Sequence, residues 1–137
     1  MARGNPVEFV RLNDDGTYER VGNQVQIESD SKVASASHTN EPVANTAAVV
    51  TLSAPGAGAS NVIGGVYWSY DDNPTGGSLT ITDGGSQVFK VDITVGGPGF
   101  FPFTPGLRGG DNAAMVITLA AGGGTVSGIV NVHAWTE

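Results

Sequence analysis

The chain has 137 residues, 39% hydrophobic and only 14% charged, which suits one compact domain with an accessory segment. Six basic residues against thirteen acidic ones, a formal net charge of −7, argue against a nucleic-acid or anionic-membrane surface, since six scattered cations form no basic patch. The absence of cysteine excludes disulfide and thiolate–zinc scaffolds.

Both sides of Asn45 are mildly acidic, with four basic and seven acidic residues up to that point and two and six beyond it. No signal-peptide pattern opens the chain and no apolar run is long enough to span a membrane, so cytoplasmic synthesis is expected. With 21 glycines and 7 prolines the composition approaches that of disordered chains. Regularly spaced runs of Val, Ile, Leu and aromatic residues argue for folding instead.

Residues 1–45 form a first region. The run VEFVRL at 7–12, the turn NDDG at 13–16 and TYERV at 17–21 predict a β-hairpin, with a third short strand over 24–28. A lone hairpin is marginal in water, so its apolar residues Val7, Phe9, Val10, Leu12 and Tyr18 are the candidates for docking on something else. Residues 29–45 (SDSKVASASHTNEPVAN) are small, polar and weakly patterned, which predicts a linker or extended arm, with an ordinary surface loop as the alternative.

Residues 46–137 read as a single β-sandwich. AAVVTL at 47–52 is a strand stopped by PGAG. NVIGGVYWSY at 61–70 is a longer one whose central Gly64-Gly65 predicts a bulge or a close backbone approach. Residues 78–82 and 88–95 flank DGGS, a strong hairpin signal. In the second of these, Phe89, Val91, Ile93 and Val95 alternate with Lys90, Asp92 and Thr94, giving one core face and one solvent face. The stretch GGPGFFPFTPGLRGG at 96–110 is aromatic and proline-rich, and strands over 113–120 and 126–134 finish the chain. Strands at this spacing with glycine turns indicate an all-β, jelly-roll-like sandwich, here preceded by an N-terminal hairpin arm.

No catalytic set is selected by these residues. There is no Gly-x-Ser-x-Gly elbow and no phosphate-binding glycine loop, and no feature singles out a carboxylate pair from Asp71, Asp72, Asp83, Asp92 and Asp111. Asp71-Asp72-Asn73 is the best cation candidate, but it lacks the calcium-loop spacing and reads better as turn chemistry. His38 and His133 lie in unlike contexts, which makes a histidine metal site improbable. We therefore expect a non-enzymatic protein without metal or cofactor, acting through its surface. Tyr67, the phenylalanines Phe100, Phe101 and Phe103, and the alternating Asn131, His133 and Trp135 of the last strand are the candidate oligomer interface. Val66, Trp68 and Tyr70 are expected opposite Ile63, Gly65, Tyr67 and Ser69, on a strand carrying large groups on both faces.

The segments Thr51-Leu52, NVIGGVYWSY at 61–70, GSLTI at 77–81 and GPGFFPF at 97–103 together resemble the jelly-roll type of capsid decoration (cement) protein of tailed phages. The resemblance lies in texture and order and does not reach the N-terminal region. It implies a homotrimer on the capsid surface of a virion, bound to the major capsid protein of a phage head. The alternatives are a tail-fibre or receptor-binding tip, or a carbohydrate-binding β-sandwich module using Trp68, Trp135 or Tyr70 on sugar.

Overall fold

The computed structural model describes Val10–Leu12, Tyr18–Arg20 and residues 36–137. It divides into two units, Met1–Lys32 and Val33–Glu137. In the first, β1 (Val10–Leu12) pairs antiparallel with β2 (Tyr18–Arg20), Leu12 opposite Tyr18. The predicted docking residues Val7 and Phe9, the turn between the strands and the predicted third strand over 24–28 lie outside the described residues.

The second unit holds eight strands: β3 (Ala36–Asn40), β4 (Ala48–Leu52), β5 (Asn61–Tyr70), β6 (Gly77–Asp83), β7 (Ser86–Ile93), β8 (Gly97–Arg108), β9 (Met115–Leu119) and β10 (Gly128–Thr136). They form two antiparallel four-stranded sheets, ordered β3-β10-β5-β8 and β4-β9-β6-β7. The pairs β3/β10, β4/β9, β5/β8 and β6/β7 nest like one long hairpin and fall alternately in the two sheets. That is the wrapping of a jelly roll. The chain is thus all-β, with a single jelly-roll sandwich.

The innermost pair shows why the wrapping starts where it does. Gly84 and Gly85 connect β6 to β7 with φ of 55° and 89°, the two positive values that a tight type I′ hairpin turn requires and that glycine adopts without strain. Between the sheets lies one core, including Leu79, Ile81, Met115, Ile117, Leu119 and Val130, all with no exposed surface. Burying each such side chain contributes about 1.5–3 kcal/mol. Apolar side chains alternate inward along β4, β6 and β9 with threonine, serine and valine outward, as the two-residue period demands.

Three expectations need correction. Residues 29–45 are not wholly linker, because Ala36–Asn40 is an edge strand whose five residues pair with β10; the sandwich unit accordingly begins at Val33, before residue 46. Short polar residues there satisfy a sheet edge, which needs main-chain groups more than apolar side chains. Strand β7 ends at Ile93, so Val95 leaves the face it was expected to share and is exposed. Ile63 lies in the core with Val66 and Tyr70, not opposite them. Against β10, the adjacent His133 and Ala134 face Gly65 and Ile63, so Gly64 is one extra residue on β5 and reverses the alternation.

Candidate interaction surface

The outward face of the β3-β10-β5-β8 sheet gathers most of the unusual side chains. Thr39, Asn131, Tyr67 and Phe100 stand opposite one another across the four strands. The Thr39 hydroxyl donates to Asn131 Oδ1 at 2.6 Å. Tyr67 and Phe100 stack with ring centroids 4.2 Å apart and planes 16° from parallel, each about half exposed. In the next row Ser37, His133, Gly65 and Pro102 align, and beyond them Trp135 lies 5.8 Å from His133.

The two glycines of β5 hold these rings close to the backbone. A Cβ on Gly65 would stand 3.0 Å from Phe100 Cε2, and one on Gly64 would stand 2.7 Å from Trp135 Cζ3 and 3.1 Å from His133 Nδ1. The rings therefore occupy the space that side chains would fill on any other residue. At the same end, Trp135 Nε1 donates to Glu137 Oε1 at 3.2 Å, while Arg108 Nη1 contacts Glu137 Oε2 at 3.1 Å.

Five of the seven predicted interface residues, Tyr67, Phe100, Asn131, His133 and Trp135, share this face. Phe101 and Phe103 do not. Successive residues of a strand point to opposite sides, so these two turn toward the facing sheet and meet Phe89 of β7, at 4.8 Å and 5.2 Å between ring centroids. They line the seam between the edge strands β7 and β8, where Phe89 and Phe103 pack on the core and Phe101 stays 41% exposed at its rim. Strict alternation through GFFPF was the available signal for that split. Thr39 carries no such signal, because its strand lies in a small, polar and weakly patterned stretch. Trp68 and Tyr70, considered as sugar platforms, are unsuitable: Tyr70 is buried and Trp68 packs against the core.

The docking candidates Val10, Leu12 and Tyr18 fall on β1 and β2 of the other unit.

The acidic loop residues are engaged locally. Asp71 Oδ1 accepts from Ser127 N at 2.8 Å, Asp72 Oδ1 from Asn73 N at 2.7 Å, and Asn73 Oδ1 from Gly96 N at 2.8 Å. Asp83 Oδ2 accepts from Gly110 N, and Asp111 Oδ1 from Gly58 N. These carboxylates tie loops together. Among the described residues, no three His, Asp or Glu side chains gather at one point, and no helix is long and apolar enough to cross a membrane. His38, expected to be solvated in a linker, is half-buried on β3. It lines an open cleft of about 300 Å³ between β3 and β4, together with Leu52, Asn61 and Trp135.

Fold and surface define a jelly-roll β-sandwich that presents an aromatic sheet face. No protein-family model matches the chain, and no curated protein matches it in sequence.

Proposed function

We propose that this chain is a structural protein of a virus particle, a decoration or cement protein that binds the head surface of a tailed phage as a homotrimer and stabilises it. The observation that carries the reading is the aromatic face around the Tyr67–Phe100 stack, with its rings packed close over Gly64 and Gly65. Aromatic groups on a flat surface suit macromolecular contact, whereas small-molecule sites are usually concave. The jelly-roll topology and the sequence texture described above support the same reading. In it, the β1–β2 unit is the arm that docks on the major capsid protein, adding main-chain hydrogen bonds to a partner.

Electron microscopy of the producing particle, with and without this gene product, tests the proposal. Extra density at threefold or quasi-threefold positions of the head is the expected result. Purified particles that never contain the protein would overturn it. Binding of the free protein to a neutral glycan array through Tyr67, Phe100 or Trp135, with no particle association, would favour a carbohydrate-binding module or receptor-binding tip.

A further inference from the structure

Between residues 36 and 137 there are seven acidic and two basic side chains, and the fold sorts them by position. Lys90 and Asp92, both on the edge strand β7, pair at 3.1 Å. The rest sit at the two ends of the sandwich. Glu41, Asp71 and Asp72 follow the C-terminal ends of β3 and β5. Asp83 and Asp111 lie at the opposite end, where Gly110 bonds Asp83, and Arg108 and Glu137 pair there. Between those ends the β3-β10-β5-β8 face carries Ser37, Thr39, Asn131, His133, Tyr67 and Phe100, and none of its central rows has a charged residue.

From this distribution we infer that copies of this chain associate side by side, through the sheet face centred on the Tyr67–Phe100 stack. End-to-end contact sets acids against acids, which like-charge repulsion opposes. Lateral contact through this face, repeated about the threefold axis of the proposed trimer, brings neighbouring copies together with no such cost and removes half-exposed aromatic surface from water. The dimensions fit. Nine residues of β10 at about 3.4 Å each, across four strands about 4.8 Å apart, give on the order of 600 Å² of flat sheet. Side-chain relief raises that toward the roughly 800 Å² per partner of a standard interface. The inference deepens the proposed function by naming the contact between protomers, and assigns Phe101 and Phe103 to the intrachain seam instead.

The test is the mass of the full-length protein by sedimentation equilibrium, alongside Phe100→Arg, Thr80→Arg on the outer face of the other sheet, and Phe103→Ser in the seam. The wild type is expected to be a multiple of the 13.9 kDa chain. Phe100→Arg is expected to raise its dissociation constant about tenfold or more with the far-ultraviolet circular dichroism unchanged. Thr80→Arg should leave association intact, and Phe103→Ser should lower the melting temperature more than it changes the mass. Raising salt to about 1 M should leave the wild-type mass unchanged, because the contact is uncharged. A monomeric wild type, whether or not it binds another protein or a glycan, overturns the inference, as does dissociation by Thr80→Arg with Phe100→Arg still assembled. A monomer that still decorates particles would remove this interface without removing the virion assignment. Self-association in a protein found on no particle would do the reverse.

Discussion

The phenol of Tyr70 donates to the main-chain carbonyl of Ala120 at 2.5 Å, joining the last residue of β5 to the chain just after β9 in the facing sheet. Burial in the core raises its pKa above the ordinary 10.0, and a main-chain hydrogen bond at Ser78 opposes that to a lesser extent. The folded state thus holds this proton more tightly than the unfolded chain does. The resulting stability is fully present below pH 10.0 and is lost as pH rises through the raised folded value. Tyr70→Phe should cost about 1 kcal/mol or somewhat more near pH 8, because it leaves the Ala120 carbonyl without this donor. Above pH 10 the deficit should shrink. Urea unfolding of both proteins from pH 8 to pH 11 measures this, and parallel pH profiles would contradict the assignment.

Asn61 performs a related task at the other end of the sandwich. Its buried Nδ2 donates to Ser53 O at 2.9 Å and Ala113 O at 3.1 Å, with Leu52 O at 3.4 Å. One side chain thereby binds the loop after β4 and the loop before β9 to the start of β5. Asn61→Leu keeps the branched outline but strands these carbonyls, and should destabilise by about 1–3 kcal/mol. Asn61→Asp should be worse, since a carboxylate offers no donor to three acceptors. Thermal melts at neutral pH rank the two variants; an unchanged melting temperature for either would remove Asn61 from this role.

These two residues also mark how far the sequence could be read. Strands, turns and the jelly-roll class were legible because apolar alternation and glycine turns report directly on a half-buried sheet. The six strong strands after residue 45 appear within a few residues of their expected limits, and GFFPF forms the early part of β8. Ala36–Asn40 was not legible, because an edge strand with one exposed side needs no apolar residues, and SHTN has none. The face of Ile63 depended on whether Gly64 counted as an ordinary strand residue or as an inserted one. Pattern can suggest that bulge but cannot locate it. The grouping of Phe100 with Phe101 failed for a simpler reason, since adjacent residues of a strand seldom share a surface.

Gly64 permits a comparison of two ways in which a glycine can be required. Alanine there would overlap the Trp135 ring, with Cζ3 at 2.7 Å from the new methyl, and the ring must lift from the sheet. At Gly58 nothing stands within 4 Å, but φ is +82°, so alanine meets backbone strain alone. Each substitution should cost about 1 kcal/mol. Only Gly64→Ala should change the emission of Trp135, read in a Trp68→Phe background. Identical spectra for the two variants would mean that Trp135 does not rest on Gly64.

Truncation separates the two units along the boundary that the structure draws. Removing residues 1–32 takes away the unit containing β1 and β2 and leaves all eight strands of the jelly roll. Removing residues 1–45 also deletes β3, which bares the edge of β10 along Val130–Ala134 and breaks the Thr39–Asn131 hydrogen bond. It also removes Asn40, whose Oδ1 accepts from Val49 N at 3.1 Å and clips β3 to β4. The shorter deletion should therefore melt within a few degrees of the full chain, while the longer one should lose several kcal/mol, about 1 kcal/mol for each lost main-chain bond, and aggregate through its exposed strand edge. Circular dichroism melts and light scattering distinguish them. If the 1–32 deletion also unfolds, the sandwich is not an independent unit. If the 1–45 deletion melts like the full chain, β3 contributes pairing but no stability.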